Sequence, residues 1–240
     1  MPGIRDFIHS QALRYDGVHG LQPVLASIKR AMGAYDTFES ERAKIAADAN
    51  LSPLGKRDKI QKFVTEHAHE IVRVKKAAEK ANANMAKRRT NLKLPQIDRT
   101  DAAAAAMRSE LRNMVFQMSA GERKAFLPTA DPMFWQAVLE APNALTGIDS
   151  DTRQMVQSLA IESAHPGALA KIEADSEAIQ LLQSTAQVLT EHAAEVAELP
   201  NVKALDELID TAVPDQRHLE ADAERNMSPL LEIVSRVLAA

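Results

Sequence analysis

The chain has no cysteine among its 240 residues. That excludes a disulfide frame, a thiolate nucleophile, a zinc ribbon and a cysteine-held iron–sulfur cluster. Aromatic residues are scarce at 4%, and only 8 glycines occur, both low for a sheet-rich enzyme. No window approaches the ~18 uncharged apolar residues needed to cross a bilayer. The opening Met1-Pro2-Gly3-Ile4-Arg5-Asp6 lacks the apolar core of a signal peptide. A soluble chain with no membrane partner is the expectation. Strand alternation is missing, and Asp16-Gly17 lacks the flanking pattern of a hairpin turn. So are a Gly-x-Ser-x-Gly elbow, a glycine-rich phosphate loop and a His-Glu-x-x-His pair.

What is present is apolar residues at 45% and a near balance of 29 basic against 33 acidic residues, for a net charge of −4. Helix formers dominate, and apolar residues recur at helical spacing. The fold class expected is all-α: an elongated bundle with two long heptad-patterned helices and a compact helical subdomain.

Residues 1–20 mix Ser10, Asp16, Gly17 and Gly20 with isolated apolar residues, which predicts an irregular arm. From Pro23 a helix begins, with Leu21, Leu25, Ile28, Met32 and Tyr35 on one stripe. Ser52 and Pro53 then form a helix start. Ile60, Val64, His67, Ile71, Val74, Ala78, Ala81 and Met85 follow in an unbroken 4-3 alternation, a narrow seam suited to packing against another helix. Arg88 lands on that seam, and Leu94-Pro95 stops the helix. One helix from Pro53 to Thr90, roughly 55 Å at 1.5 Å per residue, is expected. Residues 21–94 thus read as a helical hairpin.

Residues 95–164 carry punctuation for short helices. Thr100-Asp101, the Ser119/Glu122 capping-box pair and Asp131-Pro132 mark starts, and Pro142, Gly147 and Ser150 separate the helix of Phe134 from the next. Most of the aromatic mass outside the amino-terminal third, with the single tryptophan Trp135, lies here and predicts a compact subdomain core. In residues 165–240, Ile179, Leu182, Ala186, Leu189, Ala193 and Val196 repeat the alternation. Ile172 extends it backwards, with Asp175 or Ser176 interrupting. Pro200 and Pro214 bound a helix holding Val202, Leu205, Leu208 and Ile209. A final helix starts at Ser228-Pro229 and carries Leu230, Val234, Val237 and Leu238, either closing its own core or docking on a neighbour.

Two constellations bear on function. Glu66, His67, His69 and Glu70 include the i, i+3 Glu–His spacing of di-iron bundles. The second copy such a site needs is missing, because Ala194 stands where Glu191-His192 would require histidine. These histidines read as solvated or seam residues, with His67 a candidate register or pH-sensitive position. No metal, cofactor or catalytic residue is assigned. The second constellation is charge: between Lys56 and Lys93 twelve basic residues face four acids. Lys59, Lys62, Arg73, Lys76, Lys80 and Lys87 fall on the row opposite the seam, a basic stripe about 40 Å long. It could follow nucleic-acid phosphates, meet an acidic neighbouring subunit, or be solvated. No aromatic residue interrupts it for base stacking.

Asn50-Leu51-Ser52-Pro53-Leu54-Gly55-Lys56-Arg57 and the stretch from Phe134-Trp135 through Ala141-Pro142-Asn143-Ala144-Leu145-Thr146-Gly147-Ile148 resemble helix punctuation in small all-helical structural proteins of tailed bacteriophages. Those proteins show a Leu-Ser/Thr-Pro-x-Gly-Arg start, where Lys56 here replaces arginine, and an apolar helix ending in Ala-Pro-x-x-Leu-Thr/Ser-Gly. The resemblance implies a virion component (head, neck or internal protein) or its assembly scaffold, located in the virion, with no active site to transfer. The function expected is a non-enzymatic structural subunit that binds neighbouring subunits, a homo-oligomer or other virion proteins, through helix faces. The alternative is a sequence-nonspecific nucleic-acid-binding protein of the bacterial cytoplasm, meeting DNA through the basic helix.

Overall fold

A computed structural model describes residues 3–92, 94 and 100–231. Lys93, Pro95 and the terminal-helix positions Val234, Val237 and Leu238 lie outside them. The fold is all-α, and no strand occurs among the described residues. In chain order the helices are α1 (Ile4–Leu13), α2 (Gln22–Ala47), α3 (Pro53–Glu66), α4 (Ala68–Asn91), α5 (Ala102–Gln117), α6 (Ala120–Phe126), α7 (Pro132–Glu140), α8 (Asn143–Thr146), α9 (Ser150–Ala164), α10 (Ala168–Val196), α11 (Val202–Ala212) and α12 (Arg217–Met227). A 3₁₀ turn, Leu127–Thr129, follows α6.

The starts sit where cap chemistry puts them. Ser52 Oγ accepts from the Gly55 amide at 3.1 Å, Asp101 from Ala104 at 3.0 Å, and Asp131 from Met133 at 2.9 Å. Ser119 and Glu122 form a reciprocal capping box. Helix α9 is capped by Asp149, which accepts from the Thr152 amide.

The chain divides into two compact units, Met1–Arg88 with Ala174–Ala240, and Arg89–Glu173. The division differs from the four consecutive segments read from the sequence, since the first and last stretches share one unit.

In the first unit, α3 packs on α2 and α11, and α2 also packs on α1 and α12. The expected irregular arm is instead the helix α1. Ile8, Ala12 and Tyr15 recur at +4 and +3 and are buried, and Arg5 binds Asp36 at 2.7 Å. Gly17 and Gly20, whose φ values are +77° and +89°, confine the irregularity to the turn after α1. The single helix expected from Pro53 to Thr90 is also corrected, because it breaks at His67 (φ −99°, ψ 7°) between α3 and α4. There the imidazole Nδ1 lies 2.9 Å from the Phe63 carbonyl that the His67 amide also contacts, and Glu70 bonds back to His67 in a tighter i→i−3 turn. Phe63 and buried Phe38 pack around the ring, with centroids 4.1 and 6.5 Å away.

The second unit is built on Val115, Leu127, Trp135, Val138, Ile148, Val156 and Ala160. Trp135 Nε1 donates to the Leu127 carbonyl at 2.8 Å, so the one large polar-tipped ring in the core is satisfied. Helix α7 packs on α5 and α9, and α5 also packs on α8.

Candidate functional site

The apolar rows place their residues inside. Ile60, Val64, Ile71, Val74, Ile179, Leu182 and Leu189 are buried, whereas His67 is half-buried at the helix break. The polar residues in those rows are buried too. Arg88 is 2% exposed and Asp175 is 1% exposed, and Arg88 Nη1 meets Asp175 Oδ2 at 2.7 Å. One turn before Arg88, the fully buried Asn84 donates from Nδ2 to the Met227 carbonyl at 2.8 Å. Asp175 therefore continues the buried row of α10 rather than interrupting it.

The basic stripe is not a free outer face along its length. Lys59 and Lys62 are exposed, each within 4.0 Å of an acid of its own chain, Asp48 and Glu66. Arg73 binds Glu70 at 2.8 Å. Lys76 meets Glu220 at 3.0 Å and Lys80 meets Glu224 at 2.5 Å, so two acids of α12 lie against the stripe. The bond to Glu220 raises the Lys76 ammonium above its ordinary range against partial burial, and the bond from Lys80 lowers the Glu224 carboxyl. Lys87 is exposed. Sequence reading missed this pairing, although the acids of α12 recur four apart, in step with Lys76 and Lys80.

The histidine constellation assembles no metal cage, and no group of three metal-capable side chains occurs among the described residues. Glu70 is taken by Arg73 and Arg30, with His69 Nε2 3.3 Å away. His192 lies elsewhere, buried and stacked on Tyr35 with centroids 3.8 Å apart. Its Nε2 is 3.2 Å from Glu39 Oε1 but misaligned for a hydrogen bond. Burial lowers its pKa, against the pull of Glu39 and Glu195.

Three arginine arrangements brace the second unit. Arg123 donates to the carbonyls of Val115, Phe116 and Gly147, closing the end of α5 onto the turn after α8. Arg153 holds the Leu139 and Ala141 carbonyls and Asn143 Oδ1. Burial pushes the Glu140 carboxyl up, yet Arg108 and Arg112, each at 3.0 Å, hold it below its ordinary range. The Ala141–Gly147 motif is thereby explained: Pro142 opens α8, and Gly147 ends it at φ +65°.

Exposed apolar side chains remain on both units. On α1 these are Ile4, Phe7 and Leu13; on α5 they are Met107, Met114 and Phe116. No described helix is long and apolar enough to cross a membrane. The chain matches no family model, no curated protein and no solved structure.

Proposed function

We propose that the chain is a non-enzymatic structural subunit of a larger assembly, binding its neighbours through helix faces. The observation carrying this reading is α5, where Met107 and Met114 stand seven residues apart and about half exposed (51% and 52%), with Ala103 and Ala106 exposed beside them. Residues seven apart share one helix face, and methionine adapts to varied partner surfaces. Exposed Glu110 stands between them on that face, so it offers a partner two apolar anchors around one acid. Within this reading, the heptad-spaced rows of α4 and α10 act as packing seams. The assembly is a tailed-phage particle or its scaffold, a placement supported by the punctuation at Asn50–Arg57 and Phe134–Ile148.

Native mass determination tests it. The expected result is a multimer that Met107→Glu with Met114→Glu dissociates without loss of helicity; a monomer at all micromolar concentrations would overturn it. Copurification with phage particles tests the placement. The nucleic-acid reading draws less support, because Arg73, Lys76 and Lys80 are occupied by acids of the same chain.

A further inference from the structure

Between α2, α4 and α12, within the first unit, lies a cleft of about 430 Å³. Its walls are Pro23, Ala26, Val74, Ala77 and Ala223, with Arg30 and Arg73 together at one end. The two guanidiniums are brought together by a single carboxylate. Arg73 Nη1 lies 2.8 Å from Glu70 Oε1 and Arg30 Nη1 lies 3.4 Å from Glu70 Oε2. Glu70 itself is not part of the cleft lining. Each guanidinium has five N–H donors in a fixed fork, and Glu70 engages one nitrogen of each. Two cations on one acid leave an excess positive charge facing the cavity.

Away from the arginines the lining is mixed, with Pro23, Ala26, Val74, Ala77 and Ala223 beside Gln22, Ser27 and Asn226. Pro23 precedes Arg30 by seven residues, about 10 Å along the helix axis, and Ala77 lies one turn beyond Arg73. A volume near 430 Å³ falls within the range of small-molecule sites, and the lining offers both apolar side chains and convergent polar groups. We infer that this cleft binds a small anionic amphiphile, whose carboxylate or phosphate accepts hydrogen bonds from Arg30 and Arg73 and whose short alkyl body lies along Pro23, Ala26, Val74 and Ala77. The site shares no residue with the α5 face that carries the proposed function, so its failure would leave that reading standing.

Titration calorimetry on the full chain tests it with n-hexyl phosphate, hexanoate and inorganic phosphate. Binding by hexyl phosphate at least tenfold tighter than by inorganic phosphate supports the site, since each buried methylene adds to affinity. The hexanoate arm tells a carboxylate ligand from a phosphate one, and binding of either amphiphile satisfies the inference. Arg30→Gln and Arg73→Gln should each weaken binding fivefold or more. Ala26 is exposed, so Ala26→Leu narrows the cleft without entering the core and should weaken binding with the melting temperature unchanged. The inference is overturned if neither amphiphile binds below 10 mM on the order of ordinary weak-ligand affinity. It is likewise overturned if inorganic phosphate binds as tightly as hexyl phosphate, if Ala26→Leu and the arginine variants bind as the parent does, or if only an acidic helical peptide binds.

Discussion

Arg88 and Asp175, 87 residues apart in sequence, form an ion pair at 2.7 Å with almost no solvent exposure. Each occupies a polar break in an otherwise apolar row, and the two breaks meet. A charge withdrawn from water is costly unless its partner stays, so the pair is tolerable only as a pair. Arg88→Met alone or Asp175→Leu alone should cost about 3–5 kcal/mol, whereas the double replacement should cost far less. Urea denaturation of the three variants checks this, and equal losses for single and double variants would refute the coupling.

His192 predicts an acid-sensitive fold. Its pKa is lowered from 6.5 by burial, so below about pH 6.5 the unfolded chain binds a proton that the folded chain refuses. Stability from neutral His192 is complete above that pH and falls as the pH drops toward the lowered folded value. His192→Gln should flatten this part of the stability–pH curve. The charged groups facing the ring are Glu39, Arg42 and Glu195, and Tyr35 stacks on it.

Gly147 is bound to its place twice over. Its φ is +65°, and an added Cβ would stand 2.7 Å from the Arg123 guanidinium. Gly147→Ala should destabilise by about 1–3 kcal/mol. In an Arg123→Ala background part of that loss should vanish, because only the backbone strain remains. Thermal melts of the double-mutant cycle measure the difference.

Asp149 caps α9, and the hydrogen bonds at Thr152 lower its pKa from 3.8 to about 2, with Lys124 assisting. Its contribution is full above pH 3.8 and disappears as the pH falls through about 2. Asp149→Asn should keep the cap and remove this acid-dependent part, a separation visible in melts at pH 2 and pH 6.

The acids of α12 change how the basic stripe should be tested. Reversing Arg73, Lys76 or Lys80 sets like charges against Glu70, Glu220 or Glu224 and should loosen the fold before it reports on any partner. Lys59→Glu with Lys62→Glu is the cleaner probe, since both side chains are exposed. Retention of any DNA shift by that variant would place DNA contact elsewhere.

Helix class and helix starts are legible in the sequence because they are local: Ser52, Asp101, Ser119 and Asp131 each bond within three residues. The apolar rows are legible for the same reason, as burial follows periodicity. The fate of Arg88 and Asp175 is not, since each alone is merely a polar residue out of place. Only a fold that joins them makes burial affordable. Helix α1 is hidden by the glycines that follow it, and the break at His67 by a seam pattern that runs through it unchanged. The Arg30–Glu70–Arg73 grouping, spread over two helices, has no local signal at all.

The chain leaves the first unit after Arg88 and returns to it at Ala174, and the Arg88–Asp175 pair ties the exit to the re-entry. Residues 89–173 are therefore an insertion whose two ends start from one clasp, with a core of their own in Trp135 and its neighbours. Such a module is open to exchange: a different folded passenger, or a short bridging turn, can in principle join the same two points without rethreading the host.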